Sequence, residues 1–178
     1  MGRRAVAFTE DSVSRAIRAV KKKCGVALSH LDFEQLRASR SDGFIYFITS
    51  SQEGFLKIGW ASNPDRRLET LQTGNHNRLS FLFYVRAPAY LERIAQKIFK
   101  SERIINEWFN YTDELDHFVE WLELSCGYHE GAPHLGYEQI VEIVENWAAD
   151  DALYRFVAAQ GIPVFKTREE AAEWMGAQ

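Results

Sequence analysis

The run Gly43-Phe44-Ile45-Tyr46-Phe47-Ile48 sets the architecture of this chain. Its β-branched and aromatic residues are typical of a buried strand. The polar residues 50–54, Ser-Ser-Gln-Glu-Gly, supply a turn, and residues 55–59, Phe-Leu-Lys-Ile-Gly, then form a return strand. The sequence therefore predicts a β-hairpin as the start of a small sheet.

Helices and one more strand are predicted after this hairpin. Asn63 is a helix N-cap candidate, and Pro64 fits the first helical position, where its missing N–H is no loss. That helix should end near Gly74. In residues 79–86, apolar and aromatic residues alternate well enough to predict a third strand. Another helix follows Pro88, and its apolar stripe comprises Leu91, Ile94, Ala95, Ile98 and Phe99. The expected fold class is α+β, with a three-stranded antiparallel sheet flanked by helices in the order β-β-α-β-α.

The two flanks of this region differ from it in pattern. Residues 1–42 show helical spacing at Val13, Ile17 and Val20 and a second short helix near 32–38, which predicts a helical N-terminal arm. Residues 111–178 are acidic and predict mainly helices, with one short strand near 162–165. We therefore expect three parts: the arm (1–42), a central domain (43–110) and a C-terminal extension (111–178).

Composition limits the class of protein. Hydrophobic residues make up 46% of the 178 and charged residues 26%, as is ordinary for a globular protein. No apolar run approaches the roughly 20 residues that span a bilayer, and the N-terminus lacks the apolar region of a signal peptide. These observations predict a cytoplasmic protein without a membrane partner.

Charge is divided sharply along the chain. Residues 1–110 hold 18 Lys and Arg against 11 Asp and Glu, whereas residues 111–178 hold 3 against 14. A basic front part suits a polyanionic partner such as DNA. The acidic extension would repel DNA, so it is expected to bind a protein partner or to dock within the molecule, where it would restrain activity.

Five spaced landmarks in residues 43–110 together resemble the GIY-YIG nuclease superfamily. They are Gly43-Phe44-Ile45-Tyr46, Lys57-Ile58-Gly59, Arg67-Leu68 with Leu71-Gln72-Thr73-Gly74-Asn75, Glu92, and Glu107-Trp108-Phe109-Asn110. The match is closest to the phage-associated branch known as the meiotically up-regulated gene 113 domain. No single landmark is specific, but their order and spacing are.

The resemblance implies a metal-dependent DNA endonuclease that hydrolyses phosphodiester bonds. The implied catalytic residues are Tyr46, Lys57, Arg67, Glu92 and Asn110. Elementary chemistry asks for similar groups: Tyr46 to orient or deprotonate a water, Arg67 to fork onto phosphate oxygens, and Glu92 to bind one Mg²⁺ or Mn²⁺. Lys57 would add positive charge beside Tyr46 and lower its pKa.

Basic residues in the same region predict a nucleic-acid interface. They are Arg66, Arg78, Arg93, Lys97 and Lys100. Two positions depart from the family pattern, since Lys57 replaces the second Tyr of the superfamily name and Gln96 replaces a His common in this branch. These departures keep an alternative open: an inactive nucleic-acid-binding or assembly protein, of phage origin, that retains the scaffold.

Overall fold

A computed structural model of the chain describes residues 10–51, 54–126 and 134–149. Six helices lie in these ranges: α1 (Glu10–Cys24), α2 (His30–Ala38), α3 (Pro64–Thr73), α4 (Tyr90–Ile98), α5 (Asp113–Ser125) and α6 (Tyr137–Ala148). Five strands accompany them: β1 (Phe44–Ser50), β2 (Phe55–Ala61), β3 (Leu79–Arg86), β4 (Arg103–Ile105) and β5 (Trp108–Asn110). The elements predicted within 150–178 lie outside the described residues.

The sheet has five antiparallel strands in the order β3-β1-β2-β5-β4, so the prediction of three strands was wrong. The two additional strands have three residues each, which is too short for an alternating pattern to show. Asn106 between them adopts a left-handed backbone conformation (φ 51°), as a tight connection needs. β5 pairs with β2 and thereby extends the sheet past the first hairpin.

Alternation along β1 and β2 separates the two faces of the sheet. Ile45, Phe47, Leu56 and Ile58 are fully buried in the main hydrophobic core, which the helices α1, α2, α4, α5 and α6 also build. Tyr46 lies on the other face, in a smaller cluster with residues of α3. This second face carries the candidate site described below.

Local signals explain where α3 begins. The Asn63 side chain accepts a hydrogen bond from the Arg66 amide (2.9 Å), and Pro64 occupies the first turn. The predicted start and end of this helix are therefore confirmed. The predicted limits of β3 are confirmed as well.

The arm is fastened to the rest of the molecule through α4. Ala89 precedes this helix without a side-chain cap, and the arm supplies the missing acceptors. The Tyr90 amide donates to the Ser39 Oγ (3.2 Å) and the Ala89 amide to the Arg40 carbonyl (2.8 Å). Buried Asp32 forms an ion pair with Lys97 on α4. The arm therefore fixes the helix that carries Glu92.

Helices α5 and α6 join the main core. Thr112 caps α5, because its side chain accepts a hydrogen bond from the Leu115 amide (3.4 Å). Phe99, Phe118 and Trp147 meet edge to face with centroids 5.3–5.4 Å apart, which ties α5 and α6 to the end of α4. Across the described ranges, no helix combines the length and the apolar character required to cross a bilayer.

Candidate active site

An open cleft of about 360 Å³ lies beside the second face of the sheet. Its lining residues come from six parts of the chain: Arg40, Tyr46, Trp60, Ala61, Ser62, Arg67, Glu92 and Glu107. Two guanidinium groups, two carboxylates and a phenol thus surround one space. The guanidinium groups of such a set can bind a phosphate, and the carboxylates and the phenol can take part in chemistry at it.

Tyr46 reaches the cleft because its strand partner is a glycine. In the β1–β2 register Tyr46 faces Gly59, and a Cβ at position 59 would lie closer than 3.0 Å to the Tyr46 ring and hydroxyl. The phenol oxygen accepts a hydrogen bond from the Arg67 Nε (3.4 Å). Burial raises the pKa of Tyr46, although the hydrogen bond and charge of Arg67 oppose this. The phenol is therefore protonated near neutral pH.

Glu92 lies in the first turn of α4 and is held by Gln96 one turn later. The Gln96 Nε2 donates to the Glu92 Oε1 (2.9 Å) and to the Ile58 carbonyl on β2 (3.3 Å). Burial, and then the charge of Glu107, raise the pKa of Glu92 to about 7, against the opposing effects of Lys57 and Gln96. The carboxyl group is therefore poised to gain or lose a proton near neutral pH.

Glu107 brings the second carboxylate, from the loop between β4 and β5. The Ile58 amide donates to the Glu107 carbonyl (3.0 Å), which fixes the backbone of the loop against β2. Buried Lys57 forms an ion pair with the Glu107 side chain. Lys57 thus orients Glu107, while the charged neighbour of Tyr46 is Arg67.

Glu92 and Glu107 are the side chains that could hold a divalent cation in the cleft. Magnesium is commonly held by one or two carboxylates, with waters and substrate phosphates as the remaining ligands. Glu92 and Glu107 both line the cleft, and their mutual repulsion contributes to the raised pKa of Glu92. Among the residues that the structure describes, no cluster of three Asp, Glu, His or Cys forms a richer site. Any cation in the cleft would thus rely on this pair.

Comparison with known proteins identifies the family of this chain. Residues 43–148 match the family described as the T5orf172 domain, which covers more than half of the chain. The chain belongs to the T5orf172 domain family. This family is associated with nucleases. No curated protein and no solved structure matches the chain.

The cleft of the T5orf172 domain brings together part of the predicted site. Tyr46, Arg67 and Glu92 line it. Lys57 does not line it but forms an ion pair with Glu107, which does. Asn110 is not among the lining residues, because it pairs with Phe55 at the beginning of β2. The four cleft-associated positions therefore form one unit, and Asn110 lies apart from it.

None of the five basic residues predicted to bind nucleic acid lines the cleft. Lys97 pairs with Asp32, and the Arg93 guanidinium lies 5.8 Å from the centroid of the Tyr90 ring. Arg66, Arg78 and Lys100 are exposed. A role for these side chains in binding nucleic acid therefore stays a prediction.

Sequence reasoning missed five residues that line the cleft: Arg40, Trp60, Ala61, Ser62 and Glu107. Glu107 belongs to the Glu-Trp-Phe phrase that carries the resemblance, but the catalytic residue predicted from this landmark is Asn110. Arg40 lies in the link between the arm and β1, outside the family match. Its approach to the cleft depends on tertiary structure and leaves no local pattern in the sequence.

Proposed function

We propose that this protein is a metal-dependent DNA endonuclease of the GIY-YIG type, which hydrolyses phosphodiester bonds. The observation that carries the proposal is the convergence of Tyr46, Arg67, Glu92 and Glu107 on one cleft. The basic charge of residues 1–110 and the membership of a nuclease-associated family support DNA as the substrate.

Each lining group has a chemical task in this proposal. Arg67 is always charged, and its fork matches the oxygens of a phosphate. Tyr46, protonated near neutral pH, orients the attacking water by hydrogen bonding rather than by taking its proton. Glu92 and Glu107 would hold Mg²⁺ or Mn²⁺, which supplies charge neutralisation and a more acidic water when bound. Lys57 and Gln96 keep the two carboxylates in place.

Nicking of supercoiled plasmid in Mg²⁺ or Mn²⁺ tests the proposal. We expect the wild type to nick, and Glu92→Ala and Arg67→Ala to lower the rate by about 10²-fold or more, as loss of a transition-state contact does. Glu69→Ala is a matched control, because Glu69 is exposed on α3 and does not line the cleft. Nicking that survives both cleft substitutions would show that the activity arises elsewhere.

A second candidate is a DNA-binding protein that does not cleave. It is favoured by the contacts of the two carboxylates, since Lys57 already neutralises Glu107 and Gln96 already donates to Glu92. A cation would have to compete with these groups. A gel shift without nicking, at every metal concentration tried, would select this candidate over the nuclease.

A further inference from the structure

Arg40 is a cleft residue that the family match does not include. It follows α2 and precedes β1, and its side chain lines the same cleft as Arg67 and the two carboxylates. The side chain is 67% exposed, so the guanidinium is accessible to a ligand. Its central carbon lies 4.4 Å from the centroid of the Trp60 ring, which also lines the cleft.

The platform under Arg40 is rigid. The Trp60 Nε1 donates to the Ala87 carbonyl (3.0 Å), which fixes the indole in its plane. The ring crosses Gly43, where a Cβ would lie closer than 3.0 Å to it. The Arg40 carbonyl accepts from the Ala89 amide (2.8 Å), so the backbone of Arg40 is anchored too. The Trp60 ring and the Arg40 backbone are therefore already fixed before a ligand binds.

The charge of Arg40 is only weakly satisfied within the protein. Its ion-pair partner is Asp42, at 3.8 Å, and both side chains are more than two-thirds exposed. Exposed pairs of this kind contribute little and give way to a better anion. A guanidinium stacked on an indole keeps the N–H groups at its edge available, and these match a phosphate in a bidentate fashion.

We propose that Arg40, stacked on Trp60, forms a second anion subsite of the cleft, which binds a backbone phosphate of the nucleic acid in addition to the one held by Arg67. This subsite rests on the proposed function, because it takes DNA to be the ligand. The arm, which lies outside the matched family region, thereby completes the binding surface.

Equilibrium binding of a short DNA duplex by the full-length protein tests the subsite. The measurement is made in EDTA, so that cleavage does not interfere, and over a series of salt concentrations. Each phosphate contact adds about 0.9 to the slope of log K against log salt concentration on duplex DNA. We expect Arg40→Ala to weaken binding several-fold and to lower the slope by about 0.9. Arg40→Lys should keep the slope but not the full affinity.

Arg37→Ala is the matched control. Arg37 also belongs to the arm, and its guanidinium lies 5.5 Å from the centroid of an aromatic ring, that of Tyr137. Arg37 does not line the cleft. Its substitution therefore removes one positive charge and one arginine–ring contact, as Arg40→Ala does, but away from the cleft. Its slope should equal that of the wild type. Asp42→Asn, which removes the competing carboxylate, should strengthen binding.

The outcomes separate the two proposals. If Arg40→Ala and Arg37→Ala give the same slope and affinity while the wild type binds and nicks DNA, the subsite is wrong and the nuclease proposal stands. If the wild type binds no DNA, both are wrong. Thermal melting checks that the variants fold, and Arg40→Gln, which retains most of the side-chain stem, replaces Arg40→Ala should the latter melt at a lower temperature.

Discussion

At the scale of single residues, the environment of Glu92 favours its neutral form. Burial and the neighbouring Glu107 raise its pKa to about 7 from an ordinary value of 4.5. When the carboxyl group ionises, the folded protein therefore holds a poorly solvated charge. A bound cation would favour the ionised form, so metal binding would couple stability to pH at this side chain.

Glu92→Gln should abolish nicking and yet raise the melting temperature above neutral pH. Because the pKa of Glu92 is higher in the folded than in the unfolded chain, wild-type stability falls as pH rises from about 4.5 through about 7. Gln does not ionise, and its side-chain oxygen still accepts from Gln96. The gain should appear at pH 8 and vanish near pH 4.5.

Melting curves of both proteins across this pH range provide the measurement. Mg²⁺ at pH 8 should stabilise the wild type and leave Glu92→Gln unchanged, because a ligand stabilises only the folded state that binds it. Equal melting temperatures at pH 8 without metal would contradict the account of Glu92.

Tyr46→Phe tests the hydroxyl group separately from the aromatic ring. The ring packs across Gly59 and should stay in place, whereas the hydroxyl that accepts from Arg67 is lost. We expect nicking to fall by about 10²-fold with little change in melting temperature. Tyr84→Phe is the matched control, since Tyr84 pairs with Tyr46 in the β1–β3 register but is exposed and outside the cleft. Similar rates for the two variants would remove the hydroxyl from the mechanism.

At the scale of elements, glycines let the strands bring aromatic rings to the cleft. Gly59 on β2 makes room for Tyr46, and Gly43 before β1 makes room for Trp60. Two rings thus cross the backbone of neighbouring strands at positions where any side chain would block them. Packing therefore explains why glycine occupies these positions in the Gly-Phe-Ile-Tyr and Lys-Ile-Gly landmarks.

Gly59→Ala should displace the Tyr46 ring and reduce nicking strongly. The added Cβ would lie closer than 3.0 Å to this buried ring, and such overpacking typically destabilises by about 1–3 kcal/mol. Gly74→Ala is the control: its φ of −99° suits any residue, and nothing lies within 4 Å of the added atom. Melting and nicking of both variants measure the effect. An active Gly59→Ala protein of unchanged stability would contradict this packing.

The sequence predicted the elements that carry a periodic or capping signal. β1, β2, β3 and α3 show strand patterns or an Asn-Pro start. It could not predict β4 and β5, because three residues hold no period. For the cleft, Tyr46, Arg67 and Glu92 were found through their landmarks. Arg40 and Trp60 were not, since they meet only after the arm has docked.

At the scale of the whole molecule, neither of the described acidic helices lines the cleft. None of the cleft residues belongs to α5 or α6, which pack in the main core with α1 and the end of α4. Among the described residues, the acidic helices therefore do not cover the cleft in the basic part of the chain. The arm adds a second connection between these parts, because α1 packs on α6 and α2 on α4.

Removal of residues 1–42 should therefore abolish the stable fold of the remainder, although the family match begins at residue 43. The deletion takes away the buried side chains of Val13, Ala16, Val20, Phe33 and Leu36. It also leaves the first amides of α4 without their acceptors and Lys97 without Asp32. Exposed core surface on α4 and α6 would then face water.

Circular dichroism melting of residues 43–178 against the full chain measures the effect. We expect the shortened protein to lose its cooperative transition. The point variant Asp32→Ala should lower the melting temperature more than Asp11→Ala, whose carboxylate belongs to an exposed pair with Arg15. A shortened protein that melts cooperatively at the full-length temperature would show that the central domain is autonomous, and the arm would then serve the cleft only through Arg40.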